Sequence, residues 1–198
     1  IMGTIFVDNL EPQSGTSLTL GASGDTLTIP SGCTIANSGT ATGFGGGKIG
    51  QVVSSTKTDK STSTSTSFAD ISSLSVSITP TATSSKVYVM VSLSFGTTTN
   101  VYGGIRLMRD STAIAVGDAD GVKNQATAPM SNAIFARAQN TDFNFLDSPN
   151  STSALTFKVQ AKVNSGQTLS VNSSGEDEDN TSTGFRYVST ITAMEVLA

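Results

Sequence analysis

The sequence predicts an all-β protein, and three observations carry that prediction. About three-tenths of the 198 residues are Ser or Thr, and a further 19 are Gly. Thr suits pleated surfaces, whereas Ser and Gly suit turns. Only 13% of the residues are charged, and no long run of Ala, Leu, Glu or Lys is present, so good helix formers are thinly spread. Apolar residues alternate with polar ones over stretches of five to ten residues, separated by polar loops at short spacing. At this length the chain suits one sizeable domain, or a modest domain with an appendage.

Taken in chain order, the appendage comes first. Ser-Gly recurs at positions 14, 23, 31 and 38, and each of the first three pairs is followed by two apolar residues two apart: Leu18 and Leu20, Leu27 and Ile29, Cys33 and Ile35. Each unit reads as one short strand and one turn. Such a ribbon is too thin to bury its apolar stripe against itself. Three chains winding about a common axis would turn the pairs inward and leave the Ser-Gly turns at the corners, where Gly tolerates positive φ. A single-chain solenoid, or an N-terminal strand pair packed on the following domain, is the alternative. Residues 1–47 are therefore read as a trimerising stem, with the glycine-rich GTATGFGGGKIG (39–50) as a joint, and residues 48–198 as the head.

In the head, IGQVV runs into SSTKTDKSTSTSTS (54–67), a low-complexity segment read as a polar edge strand in preference to a linker. DISSLSVSI is the next strand. In KVYVMVSLSF one face holds Val87, Val89, Val91, Leu93 and Phe95, while Tyr88 and Met90 make the start of the other face apolar, which predicts a central strand covered on both sides. IRLMRDSTAIAVGD reads as a hairpin turning at 110–112. NAIFARA and FNFL follow, then LTFKVQAKV, half-buried with Leu155, Phe157, Val159, Ala161 and Val163 on one face. TLSVN and FRYVSTITAMEVL complete a set of nine or ten strands, the pattern of a two-sheet sandwich of jelly-roll type.

Composition also excludes functions. The net charge is −4 and the 11 Lys and Arg are scattered, so the field that attracts phosphate backbones is missing and no nucleic-acid partner is expected. No apolar run approaches the ~20 residues of a spanning helix and no leader pattern opens the chain, so membrane insertion and classical export are not expected. With one Cys, no internal disulfide can form. Absence of His removes Ser-His-Asp and Cys-His nucleophiles and nearly all zinc sites. A carboxylate pair for glycan hydrolysis would have to come from Glu11, Glu176, Glu178 or Glu195, which lie in the stem, in one loop and in the last strand. The expectation is a binding protein without cofactor or metal, not an enzyme.

Several residues are candidates for that binding. Glu176, Asp177, Glu178 and Asp179 form the densest charge run, which is either a solvated loop or a surface offering oxygens to Ca²⁺ or to a cationic patch. GDADG (117–121) resembles a calcium loop only superficially, because the later bidentate Glu is missing. Arg106 and Arg109 suit carboxylates or an acidic sugar, or cover an apolar rim with their stems. Tyr102 suits stacking on a sugar ring, or packing on the sandwich edge. Asn124 and Gln125 suit sugar hydroxyls, or are plain loop residues.

The opening MGTIFVDNLEP with its Ser-Gly repeats, then LSVSITPTATSSKVYVMVSLS, FNFLDSPNSTSALTFKVQ and the terminal STITAMEVLA, together resemble a group of short virion fibre proteins of marine tailed bacteriophages. The resemblance spans nearly the whole chain. It implies an elongated homotrimer whose N-terminal stem faces the virion and its other proteins, and whose C-terminal head points outward from the virion surface. A host-surface receptor, glycan or protein, is the expected partner. A capsid-attached fibre or decoration protein that serves assembly or particle stability is the alternative.

Overall fold

In a computed structural model of the chain, residues 10–33, 49–98, 102–131 and 137–197 are described below. The chain divides into two units, Ile1–Phe44 and Gly45–Ala198.

In the first unit the described Ser-Gly pairs lie in bends and turns. Gly15, Gly24 and Gly32 take φ of 80°, 93° and 86°, a region open to glycine because it has no Cβ. The expected short strands do not form: residues 10–33 contain bends and turns and no ladder strand. A strand needs a neighbouring backbone for its N–H and C=O groups, and within this stretch none is supplied. Leu18, Leu20, Leu27, Ile29 and Cys33 are all exposed, Leu27 by 67%. Ile35, the sixth residue of the apolar pairs, lies outside the described residues, as does most of the glycine-rich joint.

The second unit holds eleven strands among the described residues and no helix: β1 Ile49–Lys57, β2 Ser61–Ser63, β3 Ala69–Ile78, β4 Lys86–Thr97, β5 Tyr102–Arg109, β6 Thr112–Ile114, β7 Ala128–Ser131, β8 Ala138–Asp147, β9 Leu155–Val163, β10 Leu169–Val171 and β11 Ser189–Val196. In the first sheet β4 pairs on one side with β8 and on the other with β11 and then β10, which in turn carry β1 and β2. In the second, β9 joins β3 to β5, and β5 carries β6 and β7 on its far side. Counting collinear strands as one, the order across the sheets is first, last, third, sixth and second, seventh, fourth, fifth, which is the jelly-roll winding. The low-complexity segment supplies the edge strands β1 and β2, as expected; its Ser and Thr tolerate a half-solvated ladder.

Between the sheets lies one core. The inward residues of β4 (Val87, Val89, Val91, Leu93, Phe95) and of β9 (Leu155, Phe157, Val159, Ala161, Val163) are all buried in it. Strict alternation along β9 places these residues on the core side and Thr156, Lys158, Gln160 and Lys162 outside. The hairpin turn falls where expected, with Asp110 at φ 53°.

Two expectations need correction. β4 is central but covered on one face only: Met90 is 36% exposed, and Tyr88 sits in a cross-strand row with Met194, Val52 and Leu146 on the open side of the sheet. Among the described residues of the head no second layer packs there. FRYV is not the start of the last strand, because residues 184–188 bond back to their own loop before β11 begins at Ser189. Most of NAIFARA lies outside the described residues, whereas β7 was not foreseen.

Register fixes which loops share an end. Gly96 pairs with Ala138, Leu169 with both Thr97 and Ser63, and Gly103 with Val163 and Met130. Ile49 pairs with Val196, which pairs with Lys86, at the opposite end. The first described residue of the head is thus at the pole away from the β4–β5 connection.

Candidate functional site

The acidic run belongs to a loop, residues 172–188, that leaves and rejoins the first sheet at one point. Asn172, buried at φ 61°, makes that point. Its amide nitrogen donates to the carbonyls of Lys57 (2.7 Å) and Asp59 (3.0 Å), its amide oxygen accepts from the Ser189 hydroxyl (2.6 Å), and its carbonyl accepts from the Tyr187 N–H (3.1 Å). Asn tolerates this left-handed backbone better than other side-chain-bearing residues. Beyond it, Gly175 lies directly on β4: a Cβ there would come within 2.0 Å of the Thr97 carbonyl oxygen, and one at Gly96 within 2.4 Å of the Gly175 nitrogen. Two glycines let backbone rest on backbone.

Asp177 turns into this loop. Its carboxylate accepts from Lys60, from the Ser173 hydroxyl (2.6 Å) and from Arg186. The Lys60 bond, followed by those of Ser173 and Arg186, outweighs the opposing effect of burial and holds its pKa at about 2. Glu178 accepts from Thr183 and from the Asn180 amide (3.0 Å), and these bonds lower its pKa. Asn180 in turn caps the N–H groups of Ser182 (2.9 Å) and Thr183 (2.7 Å). Glu176 and Asp179 are exposed. The four acids therefore divide: Asp177 ties the loop together, while Glu176 and Glu178 border an open cleft of about 440 Å³.

Phe185, Tyr187, Arg137, Ser182 and Thr183 complete that cleft. Phe185 is 56% exposed, and its ring centroid stands 6.5 Å from that of Tyr187 at a 36° tilt. Exposed aromatic faces beside carboxylates and hydroxyls can stack on the C–H face of a pyranose and take up its hydroxyl hydrogens. Sequence reading missed both rings, because FRYV passed for the start of a strand. The signal that marks them is Gly184 after a Ser/Thr/Asn run, a loop signature directly before the aromatic pair.

The other candidates gather on the second sheet, around the start of β5. The loop between β6 and β7 is pinned to β5 by Thr127, whose N–H donates to the Ile105 carbonyl (2.8 Å) and whose hydroxyl accepts from the Leu107 N–H (2.9 Å). Arg106 reaches the Gln125 carbonyl (2.9 Å) and lays its guanidinium 3.9 Å from the Phe68 ring centroid. The Gln125 side chain donates to the Gly117 carbonyl (2.8 Å). Tyr102 is 75% exposed and shares a hollow of about 210 Å³ with Asn124, Phe68 and Lys162. Arg109 instead donates to both oxygens of Asp147 (2.9 and 2.7 Å).

Both groups of residues lie at the end of the sandwich where β4 gives way to β5. Among the described residues no cluster of three or more Cys, Asp or Glu side chains is placed to hold a metal ion, and the acids of GDADG are not gathered into one. Glu195 stands apart from Glu176 and Glu178: it is buried at the opposite end of β11 with its carboxylate saturated.

No family model and no curated protein matches the chain. Among solved structures it is similar to a chain of the infectious bursal disease virus Gx strain (TM-score 0.39, 16% identity, 75% of this chain and 37% of that one). It is also similar to a chain of infectious bursal virus derived T=1 particles (TM-score 0.40, 18% identity, 75% and 36%). A third is the infectious bursal disease virus VP2 subviral particle (TM-score 0.37, 14% identity, 74% and 39%). The chain thus spans less than two-fifths of the length of each of these.

Proposed function

We propose that the protein is a structural component of a virion surface, a homotrimeric short fibre or spike that binds a host-surface glycan through the loops at one end of its jelly-roll head. The observation that carries the reading is the open cleft in which Phe185 and Tyr187 stand beside Glu176, Glu178 and Arg137. The resemblance of the opening repeats and of the head segments to phage fibre proteins supports the virion assignment. The protein acts by binding, not by catalysis. Three heads on one stem raise the effective concentration of the second and third contacts, so a shallow cleft suffices.

Labelled protein is expected to stain host cells, and the double variant Phe185→Ala, Tyr187→Ala to stain them tenfold less or weaker still, since exposed aromatic anchors dominate such contacts. Equal staining by the variant, or staining of non-host cells at the same level, would sink the adhesin reading.

A second reading, a capsid fibre or decoration protein whose task is assembly, is favoured by the exposed Leu18, Leu20, Leu27 and Ile29. Both readings place these residues inside a trimer. Deleting residues 1–47 is expected to convert trimer to monomer in mass-resolved light scattering; a truncated head that still runs as a trimer would move the interface into the head.

A further inference from the structure

The described cations of this acidic chain mostly hold carboxylates: Lys57, Lys60, Lys123, Lys158, Arg109 and Arg186 are all ion-paired. Arg106 and Lys162 instead share an aromatic ring, with the Arg106 guanidinium carbon 3.9 Å and the Lys162 ammonium 5.9 Å from the centroid of Phe68. Neither joins an ion pair among the described residues. Two positive charges without an ion-pair partner among the described residues, beside one hollow in a protein of net charge −4, form a local positive field.

The hollow beside them combines aromatic, amide and ammonium groups. Gly103 and Gly104 line it and are packed too closely to carry a side chain: a Cβ on Gly104 would come within 3.1 Å of Ala126 and 3.3 Å of the Phe68 ring, and one on Gly103 within 2.6 Å of the Lys162 carbonyl oxygen. Its rim carries Tyr102, with its ring free to stack, and the amides of Asn124 and Asn164, which both donate and accept. None of the described residues lining it bears a carboxylate.

We infer that this hollow binds an anionic sugar unit, one carrying a carboxylate or a sulfate ester, with Lys162 meeting the anion and Tyr102 stacking on the ring. This rests on the reading of the head as glycan-binding but uses residues separate from the Phe185–Tyr187 cleft. The acidic border of that cleft disfavours the same ligand, so the two sites divide a mixed polysaccharide between its neutral and its charged units.

The full-length protein titrated calorimetrically with tetragalacturonate and with a sulfated galactan oligomer is expected to bind one or both, and a neutral galactose oligomer far more weakly at this site. Raising the salt should weaken binding. Lys162→Gln should lower the anionic affinity at least tenfold, Tyr102→Ala should lower it independently, and Lys86→Gln, an exposed cation at the opposite pole, should leave it unchanged. The carboxylated and sulfated arms tell which anion the site takes. Failure of both oligomers to bind, or anionic binding untouched by Lys162→Gln and Tyr102→Ala, would overturn the inference. If host staining still depended on Phe185 and Tyr187, the adhesin reading would stand without it.

Discussion

Gly175→Ala is expected to loosen the loop of residues 172–188 from the sheet and to abolish the aromatic cleft with it. The added methyl would sit 2.0 Å from the Thr97 carbonyl oxygen and 2.4 Å from its carbon, both backbone atoms of a central strand. Neither can swing away as a flexible side-chain tip would. Relief requires the loop to lift, which breaks the inward bonds of Asp177 to Lys60 and strains the ties at Asn172. Overpacking of this kind costs about 1–3 kcal/mol, a fall in Tm of several degrees for a domain of this size. The sharper readout is limited proteolysis with a Glu-specific protease. The variant should be cut at Glu176 and Glu178 much faster than the parent protein, and host staining should fall with it. Unchanged cutting and unchanged staining would show that the loop is not seated by the glycine contact.

Replacement of Glu195 is expected to destabilise the head from the opposite pole. The carboxylate is fully buried, yet it accepts from the Gln51 amide (2.9 Å), the Thr81 N–H (2.6 Å) and the Thr81 hydroxyl (2.7 Å). These bonds tie β11 to β1 and to the connection after β3. Glu195→Ala leaves those donors without their acceptor and opens a void, at a cost of about 1–3 kcal/mol for the unmatched polar groups alone. Burial raises the pKa of the Glu195 carboxyl, but the donors from Gln51 and Thr81 outweigh it and bring the value to about 2, below the ordinary 4.5. Because the folded state binds the proton less readily than the unfolded chain does, the contribution is fully present above about pH 4.5 and is lost as pH falls toward about 2. Asp177 adds a loss of the same sign between 3.8 and about 2. Thermal melts of the parent protein should therefore fall through this window, and those of Glu195→Gln should fall less steeply. Parallel acid limbs would refute the assignment to Glu195.

Much of the head was legible because its strands obey one period. β9 reads off the sequence residue by residue, since every second side chain from Leu155 to Val163 is apolar and one sheet covers that face. β7 escaped because Pro129 interrupts it; among the described residues β5 is its one ladder partner, so Pro is tolerated on this outer strand. The stem strands, read from the spacing of Leu18, Leu20, Leu27 and Ile29, require hydrogen-bond partners, and residues 10–33 supply none to one another. The acidic run was conspicuous, but charge density alone could not tell Asp177, folded inward on Lys60, from Glu176, turned out to the cleft. Nor does alternation along β11 distinguish a buried Glu195 from a catalytic one: its partners Gln51 and Thr81 are more than a hundred residues away and meet it only once the first and last strands pair.

That pairing has a practical corollary. Ile49 and Val196 are opposite one another on adjacent strands, with backbones about 5 Å apart. The first and last strands of the head thus meet at a single doorway, and the segment from Ile49 to Val196 can be spliced into a tight surface turn of an unrelated carrier without stretching either strand. A fluorophore or capture tag fixed at that doorway would hang from the far pole and leave both hollows unobstructed.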